Sequence, residues 1–212
     1  MNVLVVTAVP AERDAVTRAS GGYDVIAGGV GPAAAAAATA RALATAPYDL
    51  VVSAGIGGGF AGVAPVGSVV VADAIVAADL GAETAEGYVP VTGLGFGTVE
   101  HLPPAALVRH AARAAGAAVG TVLTVSTVTG SAARAAELRA RHPHAAAEAM
   151  EGFGVAEAAA LFGLPVLEIR AVSNAVGPRE RDAWRIGDAL TALGDAFGKL
   201  RPVTESWTPY DH

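Results

Sequence analysis

Polar or backbone-baring residues stand just beyond the apolar runs of this chain at a few places. They are Glu12, the glycine stretch 55–59, the hydroxyl-rich stretch 126–131, Glu151, and Ser173 with Asn174. In open α/β sheets ligands bind beyond the carboxyl ends of strands, so a site would be assembled from such positions. They offer acid–base work from two carboxylates, paired donor and acceptor bonding from an amide, and close backbone approach at glycine. Each also has a purely structural reading. Glu12 and Glu151 suit the first turn of a helix. The hydroxyls suit backbone bonding around a helix start, and Asn174 suits a turn.

Several other chemistries are excluded. The chain has no cysteine, which removes disulfides, thiolate metal sites and thiol catalysis. Of its 5 histidines only His142 and His144 lie close together, and Pro143 breaks helical spacing between them. They read as solvated residues before a strand. No H-E-x-x-H occurs, so no metal is expected. The glycine stretch fits neither G-x-G-x-x-G before a helix nor G-x-x-x-x-G-K-[ST], and the sole lysine is Lys199. There is no G-x-S-x-G elbow.

Lys plus Arg number 14 against 20 Asp plus Glu, a net charge of −6, which argues against nucleic acid or an anionic membrane as partner. Apolar residues make up 53% of the 212 residues and charged ones 16%, the balance of a folded domain. The mean hydropathy of +0.47 raises the question of a membrane span. The best candidate, 50–72, is uncharged but is broken by six glycines and Pro65, and it reads as strand, loop and strand. The first residues carry no basic segment of the kind a secretory leader has. The expectation is a cytoplasmic protein.

The elements that must carry these residues follow from periodicity. Apolar runs at 2–8, 23–27, 49–53, 68–76, 119–125 and 166–172 predict strands. Helical patterns cover 33–46, 132–141, 152–162 and 184–200, with Pro32 near the start of the first and Gly163 closing the third. The glycines of 55–59 are expected in a loop. The stretch 79–104 shows no clear element, is long enough to be functional, and has room for hairpin strands. One domain is expected over 1–200, with a loosely held tail at 201–212. Alternating strands and helices give an α/β fold: a twisted, mixed but mostly parallel sheet flanked by helices.

Four motifs, taken in order, carry a family resemblance. Ala149-Met150-Glu151-Gly152-Phe153-Gly154-Val155-Ala156 resembles the Met-Glu helix start of the nucleoside phosphorylases and the methylthioadenosine/S-adenosylhomocysteine nucleosidases. Arg170-Ala171-Val172-Ser173-Asn174 resembles their strand ending in Arg-x-x-Ser-Asp. Ser53-Ala54-Gly55-Ile56-Gly57-Gly58-Gly59 resembles their glycine loop, and Glu12 stands where the nucleosidases keep a catalytic acid. Together the motifs span 2–200. The run from Ser173 to Ile186, with Gly177-Pro178-Arg179-Glu180-Arg181, resembles the futalosine hydrolase family.

The resemblance implies the single-domain nucleoside-phosphorylase fold and hydrolysis of the N-ribosidic bond of futalosine. The products would be hypoxanthine and dehypoxanthine futalosine, on the futalosine route to menaquinone, with no metal and no cofactor. It implies Glu12 as the base that activates water, Glu151 as the carboxylate on the ribose hydroxyls, and Asn174 as the reader of the base. Relatives acting on 6-aminopurines keep Asp at that place. Asn cannot deliver a proton, but its amide suits a 6-oxopurine. Gly55, Ile56 and Gly57 would approach ribose and water. Thr127, Val128, Met150, Phe153 and Ser173 would line the nucleoside, with Thr127 standing where the nucleosidases have an aromatic. Phe153, Tyr88 and Phe96 are candidates for stacking, and core packing is the other reading of Phe153. Arg179 and Arg181 would pair with the substrate's benzoate, or else form a structural ion pair. Relatives form dimers or larger homo-oligomers, and 79–104 would close the neighbour's site. The competing readings are another purine nucleosidase (for methylthioadenosine, S-adenosylhomocysteine or aminodeoxyfutalosine), a phosphate-dependent phosphorylase, and a nucleoside-binding protein without turnover.

Overall fold

The computed structural model describes residues 1–207. In chain order the elements are β1 (Val3–Thr7), α1 (Pro10–Ser20), β2 (Asp24–Ala27), α2 (Pro32–Leu43), β3 (Leu50–Gly59), β4 (Val69–Ala77), β5 (Gly81–Thr84) and β6 (Gly87–Pro90). There follow β7 (Glu100–His101), α3 (Ala105–Ala115), β8 (Ala118–Thr124), α4 (Ala132–Arg141), β9 (Ala145–Ala149), α5 (Gly152–Leu161), β10 (Val166–Ala175) and α6 (Ile186–Ser206).

Strands β1, β3, β4, β9 and β10 are buried on both faces along most of their length, as their continuous apolar runs require, while β2, β5, β6 and β7 are partly exposed. Along β1, Val3 and Val5 face one core cluster while Leu4 and Val6 face another, the two-residue alternation of a strand. The first cluster is covered by α1, α3 and α6, through Val16, Leu107, Phe197 and their neighbours. The second is covered by α2 and α5, through Ala35, Leu43 and Val155.

The main sheet runs β10-β4-β8-β9-β3-β1-β2, with β7 added on β4. It is mixed, with β1–β2, β1–β3, β3–β10, β4–β8 and β8–β9 parallel. Because β10 also pairs with β3, the strands β3, β10, β4, β8 and β9 close into a small ring, and β1 and β2 extend from it as an open sheet.

The glycines of 55–59 are strand, not loop. β3 continues through them, paired with β10 along one side and with β9 at Gly58 and Gly59. The close packing leaves no room for a side chain at Gly57 or Gly59, whereas Ile56 between the glycines carries one. A Cβ at Gly57 would stand 2.7 Å from the Glu148 carbonyl oxygen, and one at Gly59 would meet the Ala64 carbonyl. β10 likewise runs past residue 172, so Ser173 and Asn174 lie in its last turns of pleat.

The stretch 79–104 holds the β5–β6 hairpin, a 3-10 turn at Val91–Leu94, and β7. Helix α3 has no counterpart among the sequence expectations; its alanine-rich stretch of 105–115 lacks a cap signal at Pro104. The final helix passes residue 200, through Pro202, to Ser206. Tyr23 and Thr204 hydroxyls bond at 2.7 Å, and Trp207 is buried, so 201–207 is packed and not a loose tail. The rest of the expected tail, 208–212, lies outside the described residues. His144 is exposed, but His142 is half-buried, and burial lowers its pKa below the usual imidazole value. Among the described residues no helix is long and apolar enough to cross a membrane.

Small residues set the distance between helices. Gly154 of α5 lies against the Pro32 carbonyl at the start of α2, with no space for a Cβ. Gly154→Ala is therefore expected to force the helices apart and cost about 1–3 kcal/mol. Thermal unfolding should show Tm lowered by about 2–12 °C at the usual scaling for this size. Gly187→Ala, where nothing lies within 4 Å, should leave Tm unchanged or slightly raised.

Candidate active site

The site gathers where β1, β3, β8, β9 and β10 end. Glu12 is the third residue of α1, and its carboxylate turns back over the helix start. Oε2 accepts from the N–H groups of Ala8 at 2.9 Å and Val9 at 3.2 Å, while Oε1 accepts from Ile56 N–H at 2.9 Å. Those three donors hold the side chain in one place although it is only 3% exposed.

Glu151 is the residue before α5. Its Oε1 accepts from Gly31 N–H at 3.2 Å, across the α2–α5 contact that Gly154 permits. Its Oε2 accepts from Arg170 at 3.2 Å. Arg170 is fully buried on β10 and spends its other donors on Glu168 Oε1 at 2.8 Å and Ser53 Oγ at 3.0 Å. Burial alone would lower the Arg170 pKa, but Glu168, Glu151 and Glu12 outweigh it and raise it. Burial pushes the Glu168 carboxyl up, with Arg170 opposing. The motif glycines make room for this cluster. A Cβ at Gly55 would stand 2.7 Å from the guanidinium and 2.8 Å from Glu12 Oε1, and one at Gly152 would strike the Glu168 carboxylate.

Asn174 ends the row. Its Oδ1 accepts from Ser173 Oγ at 2.8 Å and its Nδ2 donates to the Ala175 carbonyl at 2.9 Å, which leaves one amide hydrogen and one lone pair unused. Ser173 is an extra residue in the β3–β10 register, where Val172 faces Gly57 and Asn174 faces Gly58. Such bulges re-aim side chains, and here two consecutive residues reach one cavity.

That cavity has a volume of about 350 Å³, within the range of small-molecule sites. Of the residues singled out in the sequence, Glu12, Ile56, Gly57, Val128, Met150, Glu151, Ser173, Asn174 and Arg179 line it. Gly55 lies beneath the wall, under Glu12 and Arg170. Thr127 is exposed and off the wall, where Val128 and Thr129 take its place. Phe153 turns into the core, its ring 5.2 Å from that of His101, because it sits one residue into α5 on the buried side. Arg181 stays outside, 6.0 Å from the centre of the Trp184 ring. Tyr88 packs under Arg141 and Phe96 is 68% exposed, so neither stacks in this chain's cavity.

The aromatic on the wall is Trp184, with Arg179 lying 5.6 Å from its ring centre. Glu148 and Thr129 also line the cavity. Glu148 accepts from Thr129 N–H at 2.8 Å and from its hydroxyl; burial raises the Glu148 pKa, and the Thr129 bonds oppose that. A lone acid within the all-alanine strand 145–149 was the available signal for Glu148, and Glu-x-Arg inside the apolar run 166–172 was the signal for the Arg170 cluster. Among the described residues no group of three or more His, Asp or Glu side chains is arranged to hold a metal.

This placement of carboxylates, amide and glycines at strand ends defines a class: the chain belongs to the phosphorylase superfamily, whose pattern it matches over residues 7–201. Within that class it falls in the futalosine hydrolase family. It is 67% identical to the futalosine hydrolase of Streptomyces coelicolor, with 100% of both chains covered. It is 46% identical to that of Acidothermus cellulolyticus, over 93% of this chain and 89% of the relative. The structure of Helicobacter pylori futalosine hydrolase has the same fold, with a TM-score of 0.83 at 15% identity, over 97% of this chain and 98% of the other.

Removing one partner of a buried ion pair strands the other charge. Arg170→Met is expected to cost about 3–5 kcal/mol and lower Tm by about 6–20 °C. Adding Glu168→Leu should restore part of the loss, measured by thermal and urea unfolding.

Proposed function

We propose that this chain hydrolyses the N-ribosidic bond of futalosine, releasing hypoxanthine and dehypoxanthine futalosine, as a step toward menaquinone. The observation that carries the reading is the convergence of Glu12, Glu151 and Asn174 on one cavity. Breaking the C1′–N bond builds positive charge on the sugar and negative charge on the base. Glu151, anchored by Gly31 and Arg170, accepts from the ribose hydroxyls and stabilises the cationic sugar electrostatically. Glu12, anchored by three N–H donors, takes a proton from water as its oxygen bonds to C1′. The free amide hydrogen of Asn174 donates to the departing base. In the balance the water's hydroxyl stays on C1′ and its proton ends on hypoxanthine.

Water suits the site better than phosphate. Arg170 is already engaged by Glu168, Glu151 and Ser53, and a phosphate would face two carboxylates. The free guanidinium on the wall is that of Arg179, beside Trp184, where it pairs with the benzoate; Arg181 adds positive charge outside. We place the protein in the cytoplasm as a dimer or larger homo-oligomer, its catalytic domain running from the first residue through the end of α6 at Ser206, with the exposed Leu94 and Phe96 of the 79–104 stretch turned to a second copy.

In a phosphate-free assay of hypoxanthine release, Glu12→Gln is expected to lower kcat by ~10²–10⁴ with KM little changed. A variant of near wild-type kcat would remove Glu12 from the chemistry.

A further inference from the structure

The scheme above leaves one buried carboxylate on the cavity wall without a task, that of Glu148. Its position in the sheet is informative. Gly58 of β3 is in register with Asn174 of β10 on one side and with Glu148 of β9 on the other. Register partners project side chains to the same face, and both of these line the cavity. The residue between them has no side chain, and a Cβ there would come within 3.3 Å of the Asn174 amide nitrogen. With strands ~4.8 Å apart, the two flanking backbones stand about 10 Å from each other. A flat bicyclic base over Gly58 therefore meets an amide at one edge and a carboxylate at the other.

We propose that Glu148 is a specificity-determining residue of the base site, accepting a hydrogen bond from the N1–H of a 6-oxopurine while Asn174 reads the opposite edge. This rests on the proposed function, in which the departing base is hypoxanthine. A 6-oxopurine carries hydrogen on N1, whereas a 6-aminopurine carries a lone pair there. An ionised carboxylate only accepts, so it pairs with the first and opposes the second. Thr129 fixes the group by donating its N–H to Oε1 and its hydroxyl to Oε2, and each oxygen keeps a lone pair for the base. A carboxylate among buried alanines is costly unless donors surround it. Thr129 supplies two, and the base supplies the third.

The test is calorimetric binding of free hypoxanthine, adenine and 1-methylhypoxanthine to the full chain, wild type and Glu148→Gln. The glutamine keeps an acceptor for Thr129 N–H but adds an N–H donor. Wild type should bind hypoxanthine about 10- to 100-fold more tightly than the other two bases. In Glu148→Gln the preference over adenine should shrink by about tenfold or more, with adenine binding kept. A variant that still prefers hypoxanthine as strongly, or that loses both bases equally, overturns the proposal. Equal wild-type affinity for hypoxanthine and 1-methylhypoxanthine overturns it as well, whether or not the variant folds. Futalosine hydrolysis by a wild type without that preference would sink the role of Glu148 alone. The preference without hydrolysis of futalosine would sink the proposed function alone.

Discussion

The structure turns on one guanidinium. Arg170 is the largest fully buried side chain, and it ties β10 to Ser53 of β3 and to Glu151 at the head of α5. Its third partner, Glu168, is two residues away on its own strand and fixes the plane of the group. A buried ion pair adds little net stability, because desolvation offsets most of the attraction. What it gives here is position. Glu151 cannot turn from the cavity without giving up its bond to Arg170, and Arg170 is itself held from two further sides by Glu168 and Ser53.

Glycine makes that cluster possible. Gly55 and Gly152 leave the volume that Arg170, Glu12 and Glu168 occupy, and Gly57 to Gly59 let β9 and β10 close against β3. The same small-residue logic governs the helices, where Gly154 brings α5 onto the start of α2 and places Gly31 N–H on Glu151. Fold closure and site geometry are thus one packing problem. Glu148, Glu151 and Asn174 stand where the ring of strands ends, and Glu12 reaches the same cavity from the start of α1, just beyond β1.

Much of this was legible in the residues. β-branched runs marked the strands, and Pro32 and Gly163 marked helix ends, because these signals are local. The ordered Met-Glu, Arg-x-x-Ser-Asn and glycine motifs pointed to the right family. The glycine strand was hidden because glycine reads as a loop unless the flanking strands are known. Phe153 and Thr127 show the same limit for side chains: motif position puts both near the site, but Phe153 turns into the core from the buried side of α5, and Val128 and Thr129 take the wall in place of Thr127. Glu148 was missed because its role depends on Gly58, far away in sequence, and no local pattern states such a pairing; Trp184 lies only five residues from Arg179, but the sequence reads it as the first residue of the last helix, which in the structure begins at Ile186.

The central claim is that carboxylates and an amide, held in this order, cleave a 6-oxopurine nucleoside with water. It is tested most directly by chromatography of free base from futalosine, aminodeoxyfutalosine, inosine and methylthioadenosine without phosphate. Rapid hypoxanthine release from futalosine, with little base from the others, is the predicted result. Preference for methylthioadenosine, or turnover that begins only when phosphate is added, would contradict the account.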